Sequence, residues 1–377
     1  MRSVRRGRVV VPLVTAAVAA SMLASGAPAQ AASAPVVARR KPASVVATSE
    51  GSKIRIWAAD GSLRSTRTGL ERYALGPGLL VGTSTSSTDK PWTMVGVDPA
   101  TGTRKFAVPN ARLPVIVGDG PRVLFRPDPS GVRDPQNNSI WIREATGKVR
   151  RVVQFSNGPG LPGYDTGLDG EGTVLGYTVD RAGKTIAVTE GNDVDLFIYD
   201  VFAVDVAKGG VTRVTSGRVS RHAAISADGR TIAYDREVGT CGAPYIRAST
   251  LMLASGKTFG TKTTVLKGSC TKWLSQPVWV SPRTVVAYRV VRTGKTFTSD
   301  VVALDVPTKK IYALTNVHDV FLVSAGKVNN VVAYQRDGRT SSTVLTLSID
   351  SKRGTVGVRT SKSVKGEVPV VAGDNRL

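Results

Sequence analysis

The chain contains few of the residues from which metal centres and catalytic triads are usually built. Its 377 residues include two histidines, His222 and His318, and two cysteines, Cys241 and Cys270. Zinc sites take most ligands from these residue types at close spacing, and neither cysteine has a second Cys or His nearby. We therefore expect no metal site and no cofactor.

Several motifs and sequence classes are also missing. The chain has no Gly-x-Ser-x-Gly elbow, no His-Glu-x-x-His helix motif and no phosphate-binding loop. Aromatic residues make up only 6%, although the net charge is +23 and the sequence pI is about 10.4. Because the basic residues are dispersed and stacking residues are scarce, nucleic-acid binding is not expected. A basic surface instead favours an acidic protein or an anionic polymer as partner.

The N-terminus has the pattern of a secretory signal peptide. The basic start MRSVRRGR precedes an apolar run, Val9 to Ala24, and a small-residue site at Ala29-Gln30-Ala31. The run is shorter than the roughly 20 residues of a membrane span. We predict a cleaved signal peptide over residues 1–31, a linker over 32–44 and a secreted protein of the cell envelope, with an uncleaved anchor as the alternative. Arg5-Arg6 leaves general secretion or twin-arginine export open, and Arg8 favours general secretion.

A repeated hairpin determines the fold prediction. A short β-branched or aromatic strand, a polar turn and a second strand recur seven times, at steps of roughly 41 to 63 residues. These hairpins begin at Ile54, Met94, Ile140, Val201, Leu251, Val301 and Val344. A second element, an apolar strand, precedes most of them, as in TIAYDRE from Thr231 and VVAYRVV from Val285. Each unit of about 45 residues therefore supplies four strands.

Four short antiparallel strands in each of seven units predict an all-β, seven-bladed β-propeller over residues 45–377. A long β-sandwich is the alternative, but it has no need to repeat its turn chemistry. Either the segment from Pro35 to Thr48 or the one from Glu367 to Ala372 is expected to complete the closing blade. The sequence does not indicate the oligomeric state.

One repeat resembles a known family. HAAISADGRTIAYDRE, from His222, is similar to the WD40-like repeat of TolB-type β-propellers, with Ala227 in place of the usual proline. The units from Tyr177, Val278 and Phe321 match less closely. The resemblance implies a propeller with a binding role, and it implies no catalytic residues.

Propeller topology separates two faces. Connections between second and third strands, and between blades, share one loop-rich face, and we expect the opposite face of short turns to be mainly structural. Cys241 follows a second strand and Cys270 precedes a first strand, so both lie on the loop-rich face of one blade. In an oxidising compartment the two are expected to form a disulfide.

Arginines collect on the same predicted face. They follow the second strands of four blades and consist of Arg126, Arg236, Arg289, Arg292 and Arg336. If they surround the axis they form a site for a carboxylate, a phosphate or a polyanion. The alternative is local neutralisation by the interspersed acids Asp128, Asp134, Asp235, Glu237 and Asp337.

Two further clusters carry weaker signals. The Gly- and Pro-rich stretch from Phe155 to Gly172 is expected to be an irregular excursion, and its Asp165, Asp169 and Glu171 lack the spacing of a calcium loop. Glu190, Asn192 and Asp193 form one polar cluster after a second strand. We therefore predict an exported, non-catalytic propeller that binds a protein or an anionic envelope polymer. The alternative is a propeller enzyme acting on a small lactone, ester or glycan at the axis.

Overall fold

The computed structural model describes residues 45–50, 53–58, 63–76, 78–84, 92–118, 120–127, 138–156, 164–165, 173–192, 198–241, 247–313, 320–325, 330–336, 341–350 and 355–365. All of them belong to the second of two units, Pro42–Leu377. The predicted signal peptide and linker lie outside the described residues. Within the described chain, no helix has the length and apolar character needed to cross a membrane.

Regular structure in these residues is β-strand, arranged in seven sheets. Sheet 1 contains β1 (Val45–Glu50), β2 (Lys53–Ala58) and β3 (Leu63–Thr68). Sheet 2 contains β4 (Glu71–Gly76), β5 (Leu79–Ser84), β6 (Thr93–Val97) and β7 (Arg104–Val108). Sheet 3 contains β8 (Ala111–Val117), β9 (Arg122–Pro127), β10 (Ser139–Arg143), β11 (Val149–Ser156) and β12 (Tyr164–Asp165).

The other four sheets each have four strands in chain order. Sheet 4 contains β13 (Thr173–Val179), β14 (Thr185–Asn192), β15 (Ile198–Asp205) and β16 (Val211–Arg213). Sheet 5 contains β17 (Ser220–Ile225), β18 (Thr231–Thr240), β19 (Arg247–Ser255) and β20 (Thr261–Leu266). Sheet 6 contains β21 (Lys272–Trp279), β22 (Thr284–Thr293), β23 (Thr296–Asp305) and β24 (Lys310–Ala313). Sheet 7 contains β25 (Val320–Ala325), β26 (Asn330–Arg336), β27 (Ser341–Asp350) and β28 (Thr355–Lys365).

All seven predicted hairpins are confirmed as antiparallel pairs, each made by the last two antiparallel strands of its sheet. Two sheets depart from the four-strand prediction. Sheet 1 has three strands among the described residues, and sheet 3 gains β12, which pairs in parallel with β11. The excursion after Phe155 thus returns briefly to its own sheet, which the glycine and proline content did not indicate.

The hydrophobic core lies between successive sheets. Alternate residues of β15 contribute to different clusters, since Phe202 packs with sheet 3 and Val201 and Ala203 pack with sheet 5. Strand β19 behaves in the same way between sheets 4 and 6. The middle strands are therefore apolar on both faces and read as continuous Val, Ile and Ala runs. The fourth strand β20, in contrast, is exposed over its first four residues.

Side chains also join the first strands of neighbouring sheets. The hydroxyl of Tyr177 in β13 donates to the carbonyl of Leu113 in β8. Trp279 Nε1 in β21 donates to the Ala224 carbonyl in β17 at 3.1 Å. The sheets therefore stand side by side with their first strands in contact, as propeller blades do.

This arrangement gives the molecule two ends. We call the end with the first-to-second and third-to-fourth connections the turn end, and the opposite one the loop end. The loop end is less uniformly loop-rich than expected, because β22 and β23 are joined there by the two residues Gly294 and Lys295 alone. Gly294 has a φ of +62°, which a tight hairpin of this kind favours.

Candidate functional site

The predicted arginines lie within the second strands, which corrects the expectation that they follow them. β18 and β22 continue to Thr240 and Thr293, so Arg236 pairs with Thr250 and Arg289 with Asp300 in the neighbouring strands. Arg292 is also inside β22. Arg126 and Arg336 are the penultimate residue of β9 and the last residue of β26.

Strand register separates these arginines into different levels. Arg236 pairs with Ser220, and Arg289 pairs with Leu274. In both first strands one further residue is paired before the register shifts, so the two arginines occupy equivalent positions. Arg126 pairs with Arg112, directly before the register shift of its sheet. Asp235 pairs with the residue directly before the shift in sheet 5, so Arg126 is equivalent to Asp235 and not to Arg236. A shift of one residue moves a side chain to the other face of a sheet. Arg126 and Arg236 consequently belong to opposite faces of their sheets.

Three of these arginines have framework partners. Both ends of the Arg289 guanidinium donate to the Asp300 carboxylate, and the Nε–Oδ1 distance is 2.8 Å. Arg292 Nη1 donates to the Cys241 carbonyl at 3.1 Å, and Arg126 Nη1 to the Val174 carbonyl at 2.9 Å. Arg236 is exposed. The side chain of Arg336 lies outside the described residues.

Two of the acids expected to neutralise the arginines have other partners. Glu237 is buried and forms ion pairs with two arginines. Its Oε2 lies 2.7 Å from Arg247 Nη1, and its Oε1 lies 3.4 Å from Arg221 Nε. Asp235 is fully buried and accepts bonds from His222, Ser275 and Gln276. Asp128, Asp134 and Asp337 lie outside the described residues. Among the described acids, Asp235 and Glu237 therefore do not form the local pairs with the predicted arginines that their proximity in sequence indicated.

The Asp235 cluster connects sheets 5 and 6. Oδ2 of Asp235 lies 2.7 Å from His222 Nδ1, 2.7 Å from Ser275 Oγ and 3.0 Å from the Gln276 backbone nitrogen. His222 is in β17, on Asp235's own sheet, whereas Ser275 and Gln276 are in β21. The carboxylate thus fixes the first strand of one sheet against the next.

His222 and Gln276 occupy the same bulge in successive first strands. The pairing register shifts between Arg221 and Ala224 and again between Ser275 and Val278. Both bulge residues have a φ of +53°, a left-handed conformation that residues other than glycine rarely adopt. Such local strain persists only where the surrounding bonds enforce it, and here the Asp235 carboxylate supplies those bonds.

The cluster does not have the order of a catalytic relay. In such a relay the serine hydroxyl is hydrogen-bonded to the base, and the base is in turn hydrogen-bonded to the acid. Here Ser275 Oγ and His222 Nδ1 both donate to the same oxygen of Asp235. In the neutral imidazole this leaves His222 Nε2 as an acceptor, and the side chain is 34% exposed. His318 lies outside the described residues.

Cys241 and Cys270 form a disulfide in the structure, with their Cα atoms 5.2 Å apart. Cys241 follows β18 and Cys270 precedes β21, as the topology predicted. The bridge therefore joins the loop-end extensions of the two strands that carry Asp235 and Ser275. Ala248 and Trp273 pack around it.

No metal centre is found in the part of the chain that the structure describes. There, no three His, Cys, Asp or Glu residues come close enough to hold an ion. Asp165 lies in β12, while Asp169 and Glu171 are outside the described residues. Glu190 is buried and accepts from Asn138 Nδ2 at 3.1 Å, so it has a structural contact. Asn192 ends β14, and Asp193 lies outside the described residues.

Sequence reasoning overlooked the turn end. Among the described residues, nineteen lysines and arginines are exposed, against two carboxylates, Asp205 and Asp228. Twelve of these cations lie in turns of the turn end or in the first two residues of the strand that follows. The signal was present as a basic residue in almost every polar turn, for example DRAGK from Asp180 and ATGK from Ala145. The turn end is therefore strongly cationic as well as structural.

Comparisons with known proteins support the fold. No protein-family model and no curated protein sequence matches the chain. Among solved structures, the tricorn protease aligns with a TM-score of 0.58 and 11% identity, covering 87% of this chain and 34% of its own. The chain thus spans about a third of that protein. The β-propeller domain of the Trilobed protease from Pyrococcus furiosus aligns with a TM-score of 0.53 and 12% identity, over 78% and 83% of the two chains.

Further neighbours differ in what they do. Oligogalacturonate lyase in complex with manganese aligns with a TM-score of 0.54 and 14% identity, over 85% of each chain. TolB from Acinetobacter baumannii has 12% identity, covers 88% and 80% of the chains and reaches a TM-score of 0.46, which supports no specific TolB-type assignment. Because all identities are low, these comparisons show that the fold is a β-propeller and leave the activity open.

Proposed function

We propose that this protein is an exported, non-catalytic seven-bladed β-propeller that binds an anionic partner in the cell envelope. The observation that carries the proposal is the separation of charges: nineteen described cations are exposed, whereas the described carboxylates are mostly buried or half-buried. A surface of this kind attracts polyanions over a Debye length and holds them by releasing their counterions. The N-terminal export pattern and the Cys241–Cys270 bridge support the location.

Dextran sulfate and unmodified dextran provide a direct test, because they share a backbone and differ in charge. The purified protein should bind immobilised dextran sulfate at about 50 mM salt, with an affinity that falls linearly in log–log form as salt rises. Neutral dextran should not bind. Equal retention on both polymers, or none on dextran sulfate, would reject an anionic ligand.

Export is tested separately by sequencing the N-terminus of protein recovered outside the cytoplasm. The expected sequence begins after Ala31. A protein retaining Met1 and recovered with the cytoplasm would contradict this part of the proposal.

The enzyme alternative has one supporting observation, the half-exposed His222 held by the buried Asp235. An imidazole fixed through Nδ1 presents Nε2 as a base or as a metal ligand. Elemental analysis of the purified protein and hydrolysis assays with small lactones and esters test this reading. Activity that disappears in His222→Gln would favour it over the binding role.

A further inference from the structure

We propose that the turn end is the surface that holds the anionic partner, and that this partner is an extended acidic polysaccharide. This inference rests on the proposed function and adds the face and the class of polymer. It departs from the expectation that the arginines of the loop end form the site.

The turns of neighbouring sheets make one continuous surface. The Arg181 backbone nitrogen in sheet 4 donates to the Ala227 carbonyl in sheet 5 at 3.1 Å. Within sheet 4, the Val206 nitrogen donates to the Lys184 carbonyl at 2.9 Å, joining its two turns. Arg150 Nη1 of sheet 3 reaches the Val206 carbonyl at 3.1 Å. A ligand lying across sheets 3, 4 and 5 at this end therefore meets adjacent, mutually braced turns and not separate loops.

The carboxylates of this surface are engaged in holding the turns. Asp205 Oδ1 accepts from the backbone nitrogens of Ala207 and Lys208, at 2.9 and 3.0 Å. Asp180 Oδ1 accepts from the Lys184 nitrogen at 2.7 Å. In each case the lysine contributes its backbone N–H to the turn. The ammonium groups of Lys184 and Lys208 therefore remain at the surface while Asp180 and Asp205 are used locally, whereas the Arg283 guanidinium is paired with Asp305.

The cations recur at equivalent places in successive sheets. The third-to-fourth turns of sheets 3, 4, 5 and 6 carry Lys148, Lys208, Lys257 and Lys309. The first-to-second turns of sheets 4, 5 and 6 add Lys184, Arg230 and Arg283. All of these residues are exposed. Two rows of repeated positive charge fit a polymer with a repeated negative charge better than they fit a single small anion.

The apolar side chains of this surface are too few for a protein partner or for base stacking. In the described chain the exposed large hydrophobic residues are Leu63, Val149 and Val238, which are separate from one another in sequence and on different sheets. None of the aromatic side chains described is exposed. Protein interfaces need an apolar centre, and single-stranded nucleic-acid sites need aromatic platforms. An acidic polysaccharide needs neither, so the surface favours that class.

Two matched triple variants locate the contact. Lys184→Gln, Lys208→Gln and Arg230→Gln remove three charges from the turn end, and Arg236→Gln, Lys267→Gln and Lys272→Gln remove three from the loop end. All six side chains are exposed, so the thermal midpoint of each variant should stay within about 2 °C of the unmodified protein. The probe is alginate, whose uronic acids repeat a carboxylate on every sugar.

The turn-end variant should bind alginate at least about tenfold more weakly at about 150 mM salt, with a salt slope lower by about three. The loop-end variant should bind nearly as the unmodified protein does. Loss in the loop-end variant alone, or equal loss in both, would overturn the assignment to the turn end while leaving an anion-binding function intact.

Competing polymers test the polysaccharide assignment. Tighter binding of duplex DNA or poly-glutamate than of alginate, at equal charge concentration, would overturn it. If the unmodified protein binds neither alginate nor dextran sulfate, the proposed function itself fails.

Discussion

Asp235 offers the sharpest test of how neighbouring sheets are held together. In Asp235→Asn the side chain keeps nearly the same shape, but the three donors then bond a neutral amide oxygen, and the NH2 group takes the buried position of Oδ1. Three hydrogen bonds to a carboxylate contribute about 1.5 to 3 kcal/mol each in favourable cases. The other oxygen, Oδ1, is buried and has no hydrogen-bond partner among the described residues, so burial of the charge offsets part of that sum.

We therefore expect Asp235→Asn to lower the free energy of unfolding by about 3 kcal/mol. Unfolding entropy near 2.1 cal/mol/K per residue, over a unit of roughly 330 residues, converts this into a melting temperature lower by about 4 °C. Urea denaturation followed by tryptophan fluorescence measures the first quantity, and calorimetry measures the second.

The matched control is Asp205→Asn, which changes an exposed turn carboxylate and should lower stability by less than about 1 kcal/mol. Ser275→Ala, which removes one donor and leaves the carboxylate, should fall between the two. If Asp235→Asn is no less stable than the Asp205→Asn control, Oδ2 does not brace sheets 5 and 6 and the reasoning is wrong.

Two further predictions concern the bridge and the turns. Replacing Cys241 and Cys270 together by alanine opens a loop of 29 residues and should lower the free energy of unfolding by about 3 to 4 kcal/mol, measured by urea denaturation. A reductant should have no further effect on this double variant. A double variant as stable as the oxidised protein would contradict the prediction. Hydrogen bonds lower the pKa of three turn carboxylates. The donors are the backbone N–H groups of Thr101 and Ala100 at Asp98, and the Ser226 hydroxyl at Asp228. At Asp305 burial opposes the shift, but hydrogen bonds from Thr308 and Arg283 leave the pKa lowered. Because their folded pKa values lie below the unfolded value of 3.8, the stability they contribute is complete above about pH 5 and is lost as pH falls through the lowered values. Combined substitution of these aspartates by asparagine should flatten the acid limb of the stability curve between pH 5 and pH 3, and an unchanged limb would show that these turns do not control it.

The repeat pattern was sufficient to predict the hairpins but not the register within each blade. Middle strands packed between two sheets are apolar on both faces, so they lack the alternation that marks which residue faces which neighbour. Aligning the Ala-Tyr pair of TIAYDRE with the Ala-Tyr pair of VVAYRVV makes Tyr234 the equivalent of Tyr288. The pairing with the first strands shows that the structural equivalent of Tyr288 is Asp235. The bulge at His222 and its equivalent at Gln276 help to set that register, and a bulge has no distinctive sequence signature.

The same loss of register explains why the partner of Arg289 was not predicted. Asp300 pairs with Arg289 across the β22–β23 hairpin, 11 residues away, and no local acid indicated it. The disulfide was predictable because it depends only on which connections share an end of the molecule. Topology is thus easier to read from repeats than side-chain partners are, since partners change with a shift of a single residue.

Charge is divided between structure and binding in a way that the net charge alone does not reveal. Four polar turns use one carboxylate oxygen, from Asp98, Asp180, Asp205 or Asp228, to accept backbone N–H groups, so these carboxylates count in the composition while they serve the turn. Asp205 and Lys208 illustrate the division, because the carboxylate holds the lysine's backbone while the lysine's side chain stays in solvent. Substitution of the turn aspartates should therefore affect stability with little loss of polyanion affinity, and substitution of the turn lysines should do the reverse. A change of Lys208 that altered both quantities equally would show that Lys208 pairs with a turn carboxylate, as Arg283 does with Asp305, and would contradict this division.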